Sequence, residues 1–527
     1  MKRASQNLPH RRMIKSEFHE LPLKINNFKR MKSKFKVVVI LLGVVILFGS
    51  CTTPTKKKES KRPNIIFLMD DQHRWDALGV INNEVLTPNL DKLAKEGVHF
   101  TQAVCQAPMC VASRYSMMLG LYPNQTGILR NEPGIPDGKL PNLTLPQALK
   151  NAGYETAGFG KTHWAVDCST RGFETRYIGQ VREKGANMMI DIDPEAKKEY
   201  DTETKYYGDG EEGNLGYIGE TSSVKEENHR DGWVFNRCLE YIKDRKDERP
   251  LFLYLSFLKP HAGHNVPQGF EEPYTGKTIT PALQPDWKSD LSPHAKDVNT
   301  GRRKNEPYTE FWEKASEQQW RHMTMRYYAN CTWIDDMFGR TMEALKQKGL
   351  LENAIIIYVS DHGEMLGERY YRFNKYCLYE SSVRVPMIFA GSALPEEFQG
   401  KTDKRPAELT DVYPTILKAA GINVTYKLPG INLLSDETRA ANFCGLHERK
   451  DEAAFMWRTE KYKLILVMNK KENTGEYDMP DIIGGEFYDL KADPREWNNL
   501  YSTKEIEEQQ NKMSAELIGH LKKLKRS

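Results

Sequence analysis

NIIFLMDDQ, residues 64–72, runs six residues that end a strand pattern into two adjacent carboxylates. An apolar run without polar alternation, rich in β-branched and aromatic side chains, suits a strand covered on both faces, as at the centre of a largely parallel sheet. Two more such runs follow, LFLYLSF (251–257) and AIIIYV (354–359). Segments of helical period lie between and beside them. TPNLDKLAKEG (87–97) starts on a threonine and stops on a glycine, and LTLPQALKNAG (143–153) and YYANCTWIDDMFGRTMEALKQKG (327–349) have the same periodicity. Strands alternating with helices define an α/β fold, with a large, mostly parallel mixed sheet between helices. The stretches 175–235 and 262–320 are polar and rich in Gly, Pro and charge, and are expected to be long insertions at the rim of a site. Near residue 440 the texture changes. KYKLILVM (461–468) and EFYDL (486–490) alternate as half-buried strands, and IEEQQNKMSAELIGHLKKL (506–524) is an amphipathic closing helix. The expected division is therefore a catalytic domain over 64–435 and a smaller C-terminal α+β subdomain with an antiparallel sheet over 436–527.

The 527 residues, 39% apolar and 10% aromatic, describe a folded globular chain. The formal charge of +4 is unevenly placed. Residues 1–62 hold 16 Lys/Arg and 3 Asp/Glu, which leaves 60 basic and 69 acidic residues, a net of −9, for the remainder. The mildly acidic body gives no general affinity for nucleic acid. The basic leader has its own logic. MKSKFK (31–36) precedes the apolar run VVVILLGVVILF (37–48), shorter than a comfortable membrane span, and then GSC, with small residues ahead of Cys51. This is the pattern of a bacterial lipoprotein signal over 1–50, with translation expected to start at Met31, lipidation at Cys51 and a polar tether over 51–63. It implies export and a lipid anchor at the cell envelope, in the periplasm or outer membrane, with no other membrane contact. The eight cysteines, at 51, 105, 110, 168, 238, 331, 377 and 444, include no C-x-x-C pair, which argues against a zinc or dithiol redox site. An exported chain is compatible with one or two disulfides among them.

Chemistry concentrates where strands end. Asp70 and Asp71 close the first run, and Asp361 and His362 close AIIIYVS. Ligand groups in open α/β sheets gather at the carboxyl ends of strands. Adjacent buried carboxylates repel unless a cation lies between them, and oxygen-rich donors point to Ca²⁺, with Mg²⁺ as the alternative. Lys161 and His163 follow one probable strand, Lys259, His261 and His264 follow another, and Lys375 precedes a third. Each is unremarkable alone; around one site they would bind a multiply oxygenated anion such as sulfate or phosphate beside the metal.

These residues together resemble the type I, formylglycine-dependent sulfatases, the arylsulfatase family of the alkaline phosphatase superfamily. Cys110-Val-Ala-Ser-Arg114 matches the Cys-x-Pro/Ala-x-Arg signature, and Asp70-Asp71, Gly160-Lys161-Thr162-His163, Lys259-Pro260-His261, Asp361-His362-Gly363 and Lys375 follow in the family's order, as do TDVYPTILKAAGI (410–422), RTEKYKLI (458–465) and FYDLKADPREWNNL (487–500). The resemblance covers roughly 63–527. It implies an alkaline-phosphatase-like core and hydrolysis of a sulfate ester to alcohol and sulfate. A sulfatase-maturation enzyme would convert Cys110 to formylglycine, whose hydrated aldehyde attacks sulfur and later expels sulfate with its second hydroxyl, a step that serine or a thiol could not perform. Asp70, Asp71, Asp361, His362 and the modified Cys110 would hold Ca²⁺. Arg114 and Lys161 would hold the diol, His163 would take its proton, His261 would protonate the leaving oxygen, and Lys375, with Lys161 and His261, would bind the substrate. After Arg114 the run is Tyr-Ser-Met-Met-Leu-Gly where the family often has Leu-Thr-Gly, and ERYYRFNK (368–375) fills the approach to Lys375 with aromatic and basic residues expected to shape the pocket.

Two rival readings belong to the same sequence. One is a phosphodiester or phosphonate monoester hydrolase of the superfamily. The other is a non-catalytic glycan-binding lipoprotein that keeps the fold and leaves Cys110 a thiol. Export and family together make a sulfated saccharide the expected substrate.

Overall fold

The computed structural model describes residues 62–524 apart from 166–167, 180–182, 205–218, 288–291, 295–311, 313, 448–449 and 473–475. The leader, the tether up to residue 61 and Cys51 lie outside the described residues, as do parts of both polar insertions. The strands are β1 Asn64–Asp71, β2 Val98–Phe100, β3 Ala103–Val104, β4 Glu155–Gly160, β5 Thr175–Ile178, β6 Asn187–Met188, β7 Leu251–Pro260, β8 Ala354–Ser360, β9 Met387–Ala390, β10 Lys401–Asp403, β11 Ala407–Glu408, β12 Asn442–Leu446, β13 Glu452–Arg458, β14 Tyr462–Asn469 and β15 Ile482–Asp489. The main helices are α1 Pro88–Glu96, α2 Cys110–Leu119, α3 Leu145–Asn151, α4 Arg230–Asp244, α5 Glu317–Gln347, α6 Val412–Ala419 and α7 Glu507–Lys523.

Nine strands form one sheet in the order β10-β2-β9-β8-β1-β7-β4-β5-β6. All neighbours are parallel except β9, which runs antiparallel to β8 and to β2. The three apolar runs of the sequence are the three central strands β8, β1 and β7. Their side chains divide by parity. Ile65, Phe67 and Met69 of β1 join Ile355, Ile357 and Val359 of β8 in a core with α2, α3 and α6. Ile66 and Leu68 join Ile356, Leu253 and Leu255 in a second core with α1, α4 and α5. Both faces are covered, so continuous apolarity is what these strands require.

Helix α5 begins ten residues before the periodic stretch at 327, because Ser316 accepts from the Gln319 amide and forms a capping box with it. Strands β5 and β6 and the first turns of α4 fall inside 175–235, which reads as insertion in the sequence. The C-terminal sheet is antiparallel, in the order β12-β13-β14-β15. Its first two strands were not legible in the sequence, and β14 is not half-buried: six consecutive residues, Lys463–Met468, are covered. One face of this sheet, with Cys444, Met456, Ile465, Val467 and Tyr488, belongs to the first core, and the other packs under α7. The seven described cysteines are unbridged. Among the described residues no helix is long and apolar enough to cross a membrane.

Candidate active site

The four central strands β8, β1, β7 and β4 lie side by side, and each delivers polar residues at its carboxyl end. β1 supplies Asp70 and Asp71, β8 leads into Asp361 and His362, β7 ends at Pro260 before His261, and β4 ends at Gly160 before Lys161 and His163. Gly160 has φ +88°, and a Cβ there would lie 1.8 Å from the Ser256 carbonyl oxygen, so only glycine lets β4 turn toward the site this close to β7. Cys110 arrives from the other side as the first residue of α2, a helix in which all ten residues are buried.

Ligand atoms of Asp71, Cys110, Asp361 and His362, all buried, lie within 4.8 Å of one another. The Cys110 sulfur is 3.6 Å from Asp71 Oδ1, 3.2 Å from His362 Nε2 and 3.3 Å from Lys375 Nζ. His362 Nδ1 donates to the Gly363 carbonyl at 3.0 Å, which leaves Nε2 facing the cluster. Asp70, expected among the ligands, stands outside this group, because its Oδ2 is engaged by His73 Nδ1 at 2.6 Å and Tyr358 OH at 2.8 Å. Its Oδ1 is buried without a hydrogen-bond partner. Two carboxylates, an imidazole nitrogen, the group at position 110 and an orphaned carboxylate oxygen form a donor set that fits a divalent cation.

Arg114, one turn beyond Cys110 in α2, is buried and donates to Asp361 Oδ2 (2.7 Å), Asp71 Oδ2 (3.1 Å), Lys161 O (2.6 Å), Ser256 Oγ (3.0 Å) and Asp70 O (3.4 Å). Its five N–H groups are thus engaged by the protein, and through them it orients the two carboxylates. Lys161 Nζ donates to the same Asp71 Oδ2. Lys375 Nζ donates to Gln72 Oε1 at 2.7 Å and lies 3.1 Å from His261 Nε2. Burial and the Lys375 charge hold the His261 pKa below its ordinary value, so its ring is neutral here, with Nε2 accepting from the ammonium. His163, half-buried with φ +58°, helps to lower the Cys110 pKa, and its Nδ1 has no hydrogen-bond partner. Burial would raise the Cys110 pKa, but Lys161, Lys375 and His362 outweigh it and hold the thiol well below its ordinary range. The pocket around residue 110 therefore stabilises negative charge.

Four residues escaped the sequence reading. Gln72 donates its backbone N–H to Asp361 Oδ1 (3.1 Å), accepts from Lys375 and donates to Glu364, whose carboxylate also accepts from the Leu366 and Asn374 amides. Asn131 accepts from the Val111 amide at 3.1 Å and caps the start of α2. His73 locks Asp70. Gln72 directly follows Asp71, the one available signal; Asn131 is 21 residues from Cys110 with no motif to mark it. Lys259 Nζ turns to the Gly263 carbonyl.

The family model described as sulfatase matches residues 63–422, and that described as the C-terminal part of N-sulphoglucosamine sulphohydrolase matches 367–523. The chain is 28% identical over 484 residues to an arylsulfatase of Clostridium perfringens, covering 87% of this chain and 94% of that one. It is 26% identical to an N-acetylglucosamine-6-O-sulfatase of Bacteroides thetaiotaomicron, covering 92% and 90%. Its fold matches the phosphonate monoester hydrolase of Agrobacterium radiobacter with a TM-score of 0.67 at 20% identity, covering 88% and 96%. It also matches, at 0.64 and 22%, an enzyme solved with its substrate D-glucosamine-2-N,6-O-disulfate, covering 88% and 98%.

Proposed function

The chain belongs to the sulfatase family, hence is a sulfuric ester hydrolase, and from that premise we propose that it cleaves sulfate from a sulfated saccharide at a formylglycine made from Cys110 beside a bound Ca²⁺. The observation that carries this reading is the cluster of Asp71, Cys110, Asp361 and His362 at the start of a buried helix, faced by Lys375, His163 and His261. Asp71, Asp361, His362 and the modified residue 110 would hold the cation, with Asp70 Oδ1 as a further oxygen donor. The cation supplies Lewis acidity that makes an oxygen on residue 110 a nucleophile near neutral pH, and the aldehyde supplies, once hydrated, the second hydroxyl that releases sulfate.

The chain's own groups do the rest. Lys375 and Lys161 bind the sulfate oxygens as point charges in a water-poor pocket, where charge counts for more than in bulk solvent. Arg114 fixes Asp71 and Asp361 relative to α2. His163 accepts the proton of residue 110. His261, neutral in the free enzyme, gains a proton more readily when an anionic ester draws Lys375 away from Nε2, and it delivers that proton to the leaving oxygen. The saccharide class is supported by the glycan named for the Bacteroides relative and by the disulfated glucosamine bound to the fold neighbour. The leader supports export and anchoring through Cys51.

The deciding experiment uses protein from a host with a sulfatase-maturation enzyme. The peptide across residue 110 is expected to show the mass loss that separates an aldehyde from a thiol. Turnover of an aryl sulfate is then compared with an aryl phosphate and an aryl phosphonate monoester. A retained thiol in active protein, or a faster phosphorus ester, overturns the proposal.

A further inference from the structure

Regular pairing of β7 with both neighbours stops at Ser256. On β4 the last pair is Gly160 with Ser256. On β1, Met69 pairs with Ser256 and the next pair is Asp71 with Pro260, so Phe257, Leu258 and Lys259 occupy a length that β1 spans with Asp70 alone. This is a bulge, and bulges leave backbone amides without a ladder partner while they re-aim the strand. Here both orphaned amides have one acceptor. Leu258 N donates to Asp231 Oδ1 at 2.7 Å and Lys259 N to Asp231 Oδ2 at 2.9 Å. Asp231 is a buried carboxylate in the first turn of α4, and it is not a member of the cation cluster. The chain then closes a turn, His261 N to Leu258 O at 3.1 Å, and His261 reaches Lys375. A carboxylate is the side chain that can accept two neighbouring amides at once; an amide can accept only with its oxygen and would oppose the second N–H with its own donors.

We propose that Asp231 is a positioning residue for leaving-group protonation: its two carboxylate oxygens fix the β7 bulge that aims His261 at the departing oxygen. The inference rests on the reading of His261 as the proton donor. Burial raises the Asp231 pKa to about 6, against the pull of the two amides, so the carboxylate is charged at neutral pH and both acceptors are in place.

The test compares kcat/KM on a nitro-substituted aryl sulfate, whose leaving group departs as a stable anion, with that on an alkyl or sugar sulfate, whose oxygen must be protonated. His261→Ala is expected to lose about 10²–10⁴-fold on the sugar sulfate and far less on the activated one. Asp231→Asn is expected to show the same skew at a smaller size, roughly tenfold on the sugar sulfate, with bound Ca²⁺ unchanged. Tyr241→Phe, which removes a hydrogen bond to Glu155 from the same helix, serves as the control for disturbance of α4 and should show no skew. If Asp231→Asn does not accumulate folded, Asp231→Ser, which keeps an acceptor oxygen without the amide donors, carries the same comparison. A skew in His261→Ala with equal losses on both substrates in the Asp231 variants overturns the positioning role alone. Equal losses in His261→Ala overturn the proton-donor reading, and the role of Asp231 with it.

Discussion

Arg114 ties α2 to the ends of β1 and β8. A lysine at that position could offer three donors from one point where the guanidinium offers a planar fork, so Asp71 and Asp361 would not both be held. Arg114→Lys is expected to lower kcat/KM by about 10²-fold or more and to weaken Ca²⁺ binding, read by steady-state kinetics and metal titration; unchanged metal affinity would contradict the strut role. Lys375 is different, since the proposed reaction sets it against the anion itself. Lys375→Ala is expected to lose about 10²–10³-fold in kcat/KM, shared between KM and kcat, with metal affinity nearly unchanged. The residues themselves were legible wherever a motif carried them, down to Lys161, His163 and Lys375. What the motif could not convey is direction. Asp70 and Asp71 are adjacent at a strand end, and the sequence does not record that His73 and Tyr358 take up Asp70 Oδ2 and leave only its Oδ1 free. Gln72 and Asn131 act through single hydrogen bonds across the fold, which no local pattern records.

At the scale of elements, the segment that carries Lys375 is held from outside the main sheet. Glu380 accepts from Arg458 Nε and Nη2 on β13, both at 2.7 Å, and from Lys463 of β14 at 2.8 Å, and the wholly buried Lys463 also pairs with Glu496 at 2.6 Å. Without Arg458, Glu380 must share the Lys463 ammonium with Glu496 and loses its bidentate partner, so Arg458→Ala is expected to cost about 3 kcal/mol of stability in urea unfolding. A second clamp joins His294 to β15. His294 Nδ1 lies 2.7 Å from Glu486 Oε1, while its Nε2 accepts from the Leu378 amide at 3.0 Å. Burial would raise the Glu486 pKa, but His294 and Arg369 hold it at about 2 against an ordinary 4.5. A depressed carboxylate stabilises the fold above its unfolded pKa and loses that stability as pH falls through the folded one. The loss is therefore expected between pH 4.5 and about 2, and amounts to roughly 3 kcal/mol at one pKa unit per 1.36 kcal/mol. Glu486→Gln should flatten the thermal-melting curve over that window; an unchanged acid slope would rule the clamp out as its source.

Across the whole molecule, the expected division at 435/436 marks a change of architecture more than a boundary of cores. The change of texture in the sequence reflects β14, β15 and α7, which follow the antiparallel and amphipathic patterns. It missed β12 and β13 because NFCGL and EAAFMWR alternate weakly and are buried on both faces, which is the same reason KYKLILVM reads as half-buried when it is not. Burial on both faces is the physical point. Cys444, Met456, Ile465 and Val467 complete a core whose other members include residues of β1, β8, α2, α3 and α6, and the Gly445 amide donates to the Gln106 carbonyl at 3.0 Å, four residues ahead of Cys110. A chain cut after residue 435 would expose that apolar face together with Glu380 stripped of Arg458 and Lys463. Because stability is a small difference between large terms, such a loss exceeds what a domain can spare. The full chain is therefore expected to unfold in one calorimetric transition, with residues 62–435 alone insoluble or molten. Two resolved transitions, or a soluble truncated chain that still binds Ca²⁺, would show instead that the C-terminal sheet is an independent domain.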